Sequence, residues 1–117
     1  MKTILVIDDD RAIQDSLTLT FDPVNFRVII HADANKVFDG DFEQPDIFII
    51  DKQLSGVDGL DVCRHLKSQL DTKNTPIIMI SASPTVGMQA RQAGADEFIE
   101  KPYTIKQLRD AVARLLK

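Results

Sequence analysis

Four apolar runs in this sequence are followed at once by side chains that carry charge or a hydroxyl. Asp8, Asp9 and Asp10 follow Ile4-Leu5-Val6-Ile7, and Asp51 follows Ile47-Phe48-Ile49-Ile50. Ser81 follows Ile77-Ile78-Met79-Ile80, and Glu100, Lys101 and Pro102 follow Phe98-Ile99. If the runs are parallel strands, their carboxyl ends share one rim, where acids, a hydroxyl and an ammonium collect. Two unit charges about 4 Å apart repel by about 4 kcal/mol at an effective dielectric near 20. Three converging carboxylates therefore need more positive charge than one lysine supplies. A hard divalent ion meets that need, and Mg²⁺ combines one or two carboxylates with waters and phosphate oxygens. Asp51 is then the nucleophile, because a carboxylate can form an acyl phosphate. A phosphoryl group in transfer spreads its charge over three equatorial oxygens. The metal, the Lys101 ammonium and the Ser81 hydroxyl supply one partner for each.

The elements that must position these groups can be read around them. Solid blocks of β-branched and large apolar residues are the pattern of strands buried on both faces. Phe26 to Ile30 adds a further run. Between the runs, Ile13, Leu17 and Phe21 recur every four residues, as do Val62, Leu66 and Leu70, and Leu108, Val112 and Leu116. Each set marks one face of a helix. Asp10 belongs to the start of the first helix. Thr104 with Gln107 makes a capping box before the last helix, and Gly94 suits the C-terminal cap of the fourth. Residues 33–43 should hold a short second helix, diluted by Asn35, Gly40 and three aspartates. Residues 84–93 should hold the fourth, with Ser83 as cap and Pro84 at the first helical position. Gly87 inside it costs about 1 kcal/mol relative to alanine, so this helix is expected to be short and mobile. Strands alternating with helices predict right-handed crossovers and a doubly wound α/β sheet. Ligands bind such sheets beyond the carboxyl ends of the strands.

The 117 residues fit one domain. The single cysteine, Cys63, excludes an internal disulfide and argues against a zinc cluster. It lies on the apolar face of the third helix and reads as packed. A net charge of −4 without a basic cluster argues against direct nucleic-acid binding. It favours a metal cation or a basic partner surface. No apolar run approaches the length that spans a bilayer. The N-terminus enters a strand-like run at once and lacks a cleavage site, so a cytoplasmic location is expected. His31 and His65 stand alone in sequence and read as structural or solvated.

With those residues in place, the sequence resembles the receiver domain of two-component response regulators, the chemotaxis-regulator-like family, over essentially its whole length. The resemblance rests on Ile4 to Asp10, Pro45 to Asp51, Gly56-Val57-Asp58-Gly59, Pro76 to Ala82, Ala93-Gly94-Ala95-Asp96 and Phe98-Ile99-Glu100-Lys101-Pro102, in that order. It implies a flavodoxin-like, five-stranded parallel sheet in the order 2-1-3-4-5, flanked by five helices. It implies that Asp51 is the phosphoacceptor, that Asp9 ligates Mg²⁺ directly and that Asp8 assists, often through water. Gln53 matches the position whose backbone carbonyl completes the metal site. Ser81 and Lys101 match the residues that engage the phosphoryl group. Ser81 and Phe98 match the switch pair, in which the hydroxyl moves toward the phosphoryl group and the ring turns inward behind it. The Lys101-Pro102 bond is expected to be cis.

The same resemblance implies a sensor histidine kinase or phosphotransfer protein as donor, and a downstream effector that it does not specify. A single receiver domain over residues 1–117 without an output domain is expected. Ser55 departs from the proline common at its position, and the loop after Ser81 is slightly shorter than usual. Two other functions compete. A degenerate receiver would bind partners without phosphorylation, which the intact acids, Ser81 and Lys101 disfavour. An aspartate-nucleophile phosphatase needs a second acid two residues after the nucleophile, where this chain has Gln53. The chain is therefore expected to accept a phosphoryl group without acting as a multiple-turnover enzyme.

Overall fold

Alternate residues of Ile4-Leu5-Val6-Ile7 point to opposite faces of a sheet, and helices cover both faces. The computed structural model describes residues 1–117. The strands are β1 (Lys2–Ile7), β2 (Phe26–His31), β3 (Ile47–Asp51), β4 (Ile77–Ser81) and β5 (Glu97–Glu100). They form one parallel sheet in the order β2-β1-β3-β4-β5, the expected topology. Leu5, Ile7, Phe48, Ile50, Ile77 and Met79 face one core. Ile4, Val6, Ile47, Ile49, Ile78 and Ile80 face the other. Two-sided burial explains why β1, β3 and β4 read as unbroken apolar blocks. The edge strand β2 is mostly half-buried.

The helices are α1 (Arg11–Thr20), α2 (Asn35–Phe38), α3 (Gly59–Ser68), α4 (Val86–Gln92) and α5 (Ile105–Leu115). Leu17 of α1 packs with Leu108, Ala111 and Val112 of α5 on one face. Val37, Val62, Leu66, Val86 and Ala90 carry α2, α3 and α4 onto the other. The Asp10 carboxylate caps α1 by accepting from the amides of Ala12 and Ile13. The capping box of Thr104 and Gln107 opens α5 as expected. The helix in 33–43 is indeed short, a single turn at Asn35–Phe38. Gly94 follows α4 with φ of +103°, the left-handed geometry of a glycine cap. Cys63 is fully buried, and its thiol donates to the Ala93 carbonyl at 3.4 Å. Burial pushes that thiol up to about 11, which makes it inert.

Three details differ from the sequence reading. Leu70 is not on the buried face of α3, because the helix ends at Ser68 and Leu70 is 83% exposed. The Leu66 carbonyl accepts from the Gln69 amide at 3.3 Å and from the buried Thr72 hydroxyl at 2.6 Å, which closes that helix end. The fourth helix begins at Val86 rather than at Pro84. Ser83 does not cap it; the Ser83 carbonyl accepts from the Val86 amide across a turn, and the Ser83 and Thr85 hydroxyls bond each other at 3.0 Å. A two-residue hairpin, Gln53–Leu54 against Val57–Asp58, stands outside the main sheet and was not foreseen. Gly56 makes its turn with φ of +79°.

Candidate functional site

The register of the sheet determines what meets at its carboxyl rim. Ile7 pairs with Ile50 across β1 and β3, so Asp8 and Asp51 leave adjacent strands at the same level. Asp51 pairs with Ile80, which puts Ser81 one step beyond it on β4. Ser81 pairs with Glu100 on β5, and the Lys101 amide then donates to the Ser81 carbonyl at 2.8 Å. Four chain segments thus deliver their polar residues to one place.

One oxygen from each of Asp8, Asp9 and Asp51 lies within 4.8 Å of the others. Asp8 and Asp51 are buried, at 2% and 6% exposure, while Asp9 is open to solvent. The Lys101 ammonium stands 3.4 Å from an Asp51 oxygen. The other Asp51 oxygen accepts from the Gln53 amide at 3.2 Å. Asp8 accepts from the Asp10 amide at 2.9 Å, and its own carbonyl accepts from the Gln14 side chain at 2.7 Å. Burial pushes the Asp8 carboxyl up to about 6, with the Asp51 charge adding to the shift and the Asp10 amide opposing it. Loss of solvation thus makes the charged form of this carboxylate less favourable than it is in water.

An all-oxygen donor set suits Mg²⁺, whose ligands lie about 2.1 Å from the ion and so no more than about 4.2 Å from each other. The three carboxylate oxygens, all within 4.8 Å of one another, are close enough for one ion to gather, directly or through a water. Asp8, Asp9 and Asp51 fit the ion on charge and spacing. Gln53 lies two residues past Asp51, at the start of the hairpin.

Ser81 is fully buried, and its oxygen accepts from the Ser83 amide at 3.1 Å, leaving its proton available to donate. Phe98 is not among the residues that touch the carboxylates. It sits on β5 in register with Met79, half-buried against the core that contains Met79 and Val86. A methyl group on Gly87 would stand 3.3 Å from the Phe98 ring, so the glycine in α4 makes room for that ring. The Lys101-Pro102 bond is cis. His65 packs edge-on against Phe38 with ring centres 5.0 Å apart, and His31 ends β2, so neither histidine joins the site.

Two contacts escaped the sequence reading. The Ser55 amide donates to the Asp9 carboxylate at 2.8 Å. A proline at position 55 would have no N–H for this bond, so the departure noted in sequence ties the hairpin to a candidate metal ligand. Tyr103 lies half-buried next to Lys101 and Pro102 around a recess of about 450 Å³, and burial with the charges of Asp8 and Asp51 raises its phenol. Its place after Lys101-Pro102 was the only signal available for it.

Comparison with known proteins gives a consistent answer. The family model for the response regulator receiver domain matches residues 4–113. The chain is 32% identical to the response regulator MprA of Mycolicibacterium vanbaalenii, over 97% of this chain and 50% of that protein. It spans about half the length of the curated relatives it matches. Among solved structures, the chemotaxis response regulator CheY4 of Vibrio cholerae superposes with a TM-score of 0.89 at 24% identity, covering 99% of both chains. The receiver domain of the sensor histidine kinase PA1611 of Pseudomonas aeruginosa, with a magnesium ion coordinated in its active-site cleft, superposes at 0.87 and 22% identity, covering 98% of this chain and 97% of that one.

Proposed function

The chain belongs to the response regulator receiver domain family, and from that premise we propose that it takes a phosphoryl group onto Asp51 in a Mg²⁺-dependent reaction. The donor is a phosphohistidine on a sensor histidine kinase or phosphotransfer protein. An Asp51 oxygen attacks phosphorus, the bond from phosphorus to the histidine nitrogen breaks, and that nitrogen leaves with its electron pair and takes a proton. The observation that carries the reading is the convergence of Asp8, Asp9 and Asp51 with Lys101 3.4 Å from the nucleophile.

Each residue has a derived task. Burial of Asp51 removes most of the water that competes with its oxygens for the incoming group. The Gln53 amide holds one carboxylate oxygen, which leaves the other beside Lys101 to turn toward the donor. Lys101 offsets the charge of a transferring oxygen, and the free Ser81 proton serves a second. Asp8, Asp9 and the Gln53 carbonyl, together with Asp51, would hold the ion. Bound there, Mg²⁺ supplies charge neutralisation and orientation of the phosphoryl oxygens. Ser81 and Phe98 lie on neighbouring strands and are assigned the readout, passing the phosphorylated state to a face that binds a downstream protein.

The chain acts as an acceptor that assists its own phosphorylation, not as a multiple-turnover enzyme. Intact mass after incubation with a phosphorylated sensor kinase and Mg²⁺ tests this. Wild type gains one phosphoryl group, Lys101→Ala gains it more slowly, Phe98→Ala gains it normally, and Asp51→Asn gains none. Full labelling of Asp51→Asn contradicts the assignment.

A further inference from the structure

Gly59 begins α3, an unfavourable place for glycine by propensity. Asp58 already caps this helix, its carboxylate accepting from the Leu60 amide at 2.9 Å. The reason for a glycine lies across the chain. A Cβ at position 59 would stand 2.7 Å from Lys52 Cα, and closer still to the carbonyl oxygen of Asp51. Both obstacles are backbone, so no side-chain rotation relieves them. The Gly59 amide donates to the Lys52 carbonyl at 2.7 Å, which closes the contact.

This close approach ends a loop that doubles back on itself. The chain leaves Asp51, runs through the Gln53–Leu54 and Val57–Asp58 hairpin, and returns to touch Asp51 at Gly59. Lys52 and Asp58 form an ion pair at 3.2 Å across the same closure. The loop holds Gln53, and its Ser55 amide bonds Asp9. Two of the groups assigned to the ion, Gln53 and Asp9, are therefore tied to a loop whose far end closes, through a missing methyl, on the peptide of a third, Asp51.

We infer that Gly59 is a positioning residue for the metal site, its bare Cα seating α3 against the Asp51 peptide so that Asp51, Gln53 and Asp9 stand at ligand spacing. The inference rests on the Mg²⁺ reading above and deepens it. Outer-shell changes of this kind typically weaken metal affinity by about 10–100-fold. An alanine at 59 must push either α3 or the Asp51 carbonyl away, and each movement opens the ligand set.

The test is calorimetric titration of Mg²⁺ into wild type, Gly59→Ala and a control, Leu108→Ala. Leu108 is fully buried in the opposite core, not in the one that holds Leu54 of this loop and Leu60 of α3. Gly59→Ala should bind Mg²⁺ about tenfold or more weakly. Leu108→Ala, destabilised by cavity formation, should bind as wild type does, which separates metal affinity from stability. Equal affinities in wild type and Gly59→Ala overturn the inference while leaving the Mg²⁺ reading intact. A wild type that takes up no Mg²⁺ overturns both. Should Gly59→Ala fail to fold, the wild-type Gly59 amide decides: its hydrogen exchange should slow and its resonance should shift as Mg²⁺ is added, and no response overturns the inference.

Discussion

Asp8 carries the sharpest pH dependence in the site. Its folded-state carboxyl is raised from 3.8 to about 6, chiefly by burial. The folded chain therefore binds this proton more tightly than the unfolded chain does. In metal-free protein the stability linked to Asp8 is present at low pH and is lost as pH rises between 3.8 and about 6. Metal binding has the opposite sign, because the ion must displace the proton. Mg²⁺ affinity should fall below a pH of about 6, approaching about tenfold per pH unit. Titrations at about pH 5 and about pH 7 check it, and equal affinities would contradict the role of Asp8. At this scale the site acids, Ser81 and Lys101 were readable because each stands at or just past the end of an apolar run. The Ser55 bond to Asp9 was not, since a backbone amide carries no sequence signature and its partner is 46 positions away.

The third and fourth helices are where local pattern and structure part company. A four-residue spacing included Leu70, yet the chain leaves α3 after Ser68 so that Thr72 can close its end. Leu66→Ala should cost about 2–5 kcal/mol in chemical denaturation, as buried leucines do, and Leu70→Ala less than about 0.5 kcal/mol. Equal losses would return Leu70 to the core. For α4, the reading of Pro84 as a first helical residue failed because the Ser83 carbonyl spends itself on a turn before the helix begins. Gly87 was read as a cost to the helix, and its service to the Phe98 ring became visible only with β5 placed beside it. With seven residues and no side-chain cap, α4 should exchange its amides faster than α5, which has a capping box. Comparable protection across both helices would contradict that. Thr104→Ala should remove about 1 kcal/mol, read as a lower denaturation midpoint.

Across the whole molecule, the topology was legible because two-sided burial writes itself into β1, β3 and β4 as unbroken apolar blocks. The edge strand β2 is mostly half-buried, and its apolar run is interrupted by the exposed Arg27. No helix is long and apolar enough to cross a membrane. Function follows from one consequence of this architecture: parallel strands end together, so residues far apart in sequence share a rim. Asp51 is the residue proposed to carry phosphorus. Incubation with acetyl phosphate and Mg²⁺, followed by borohydride reduction and peptide sequencing, reads this directly, because reduction converts a phosphorylated aspartate to homoserine. Homoserine should appear at position 51 and vanish when the metal is chelated. Homoserine at another aspartate, or none with Mg²⁺ present, would contradict the account.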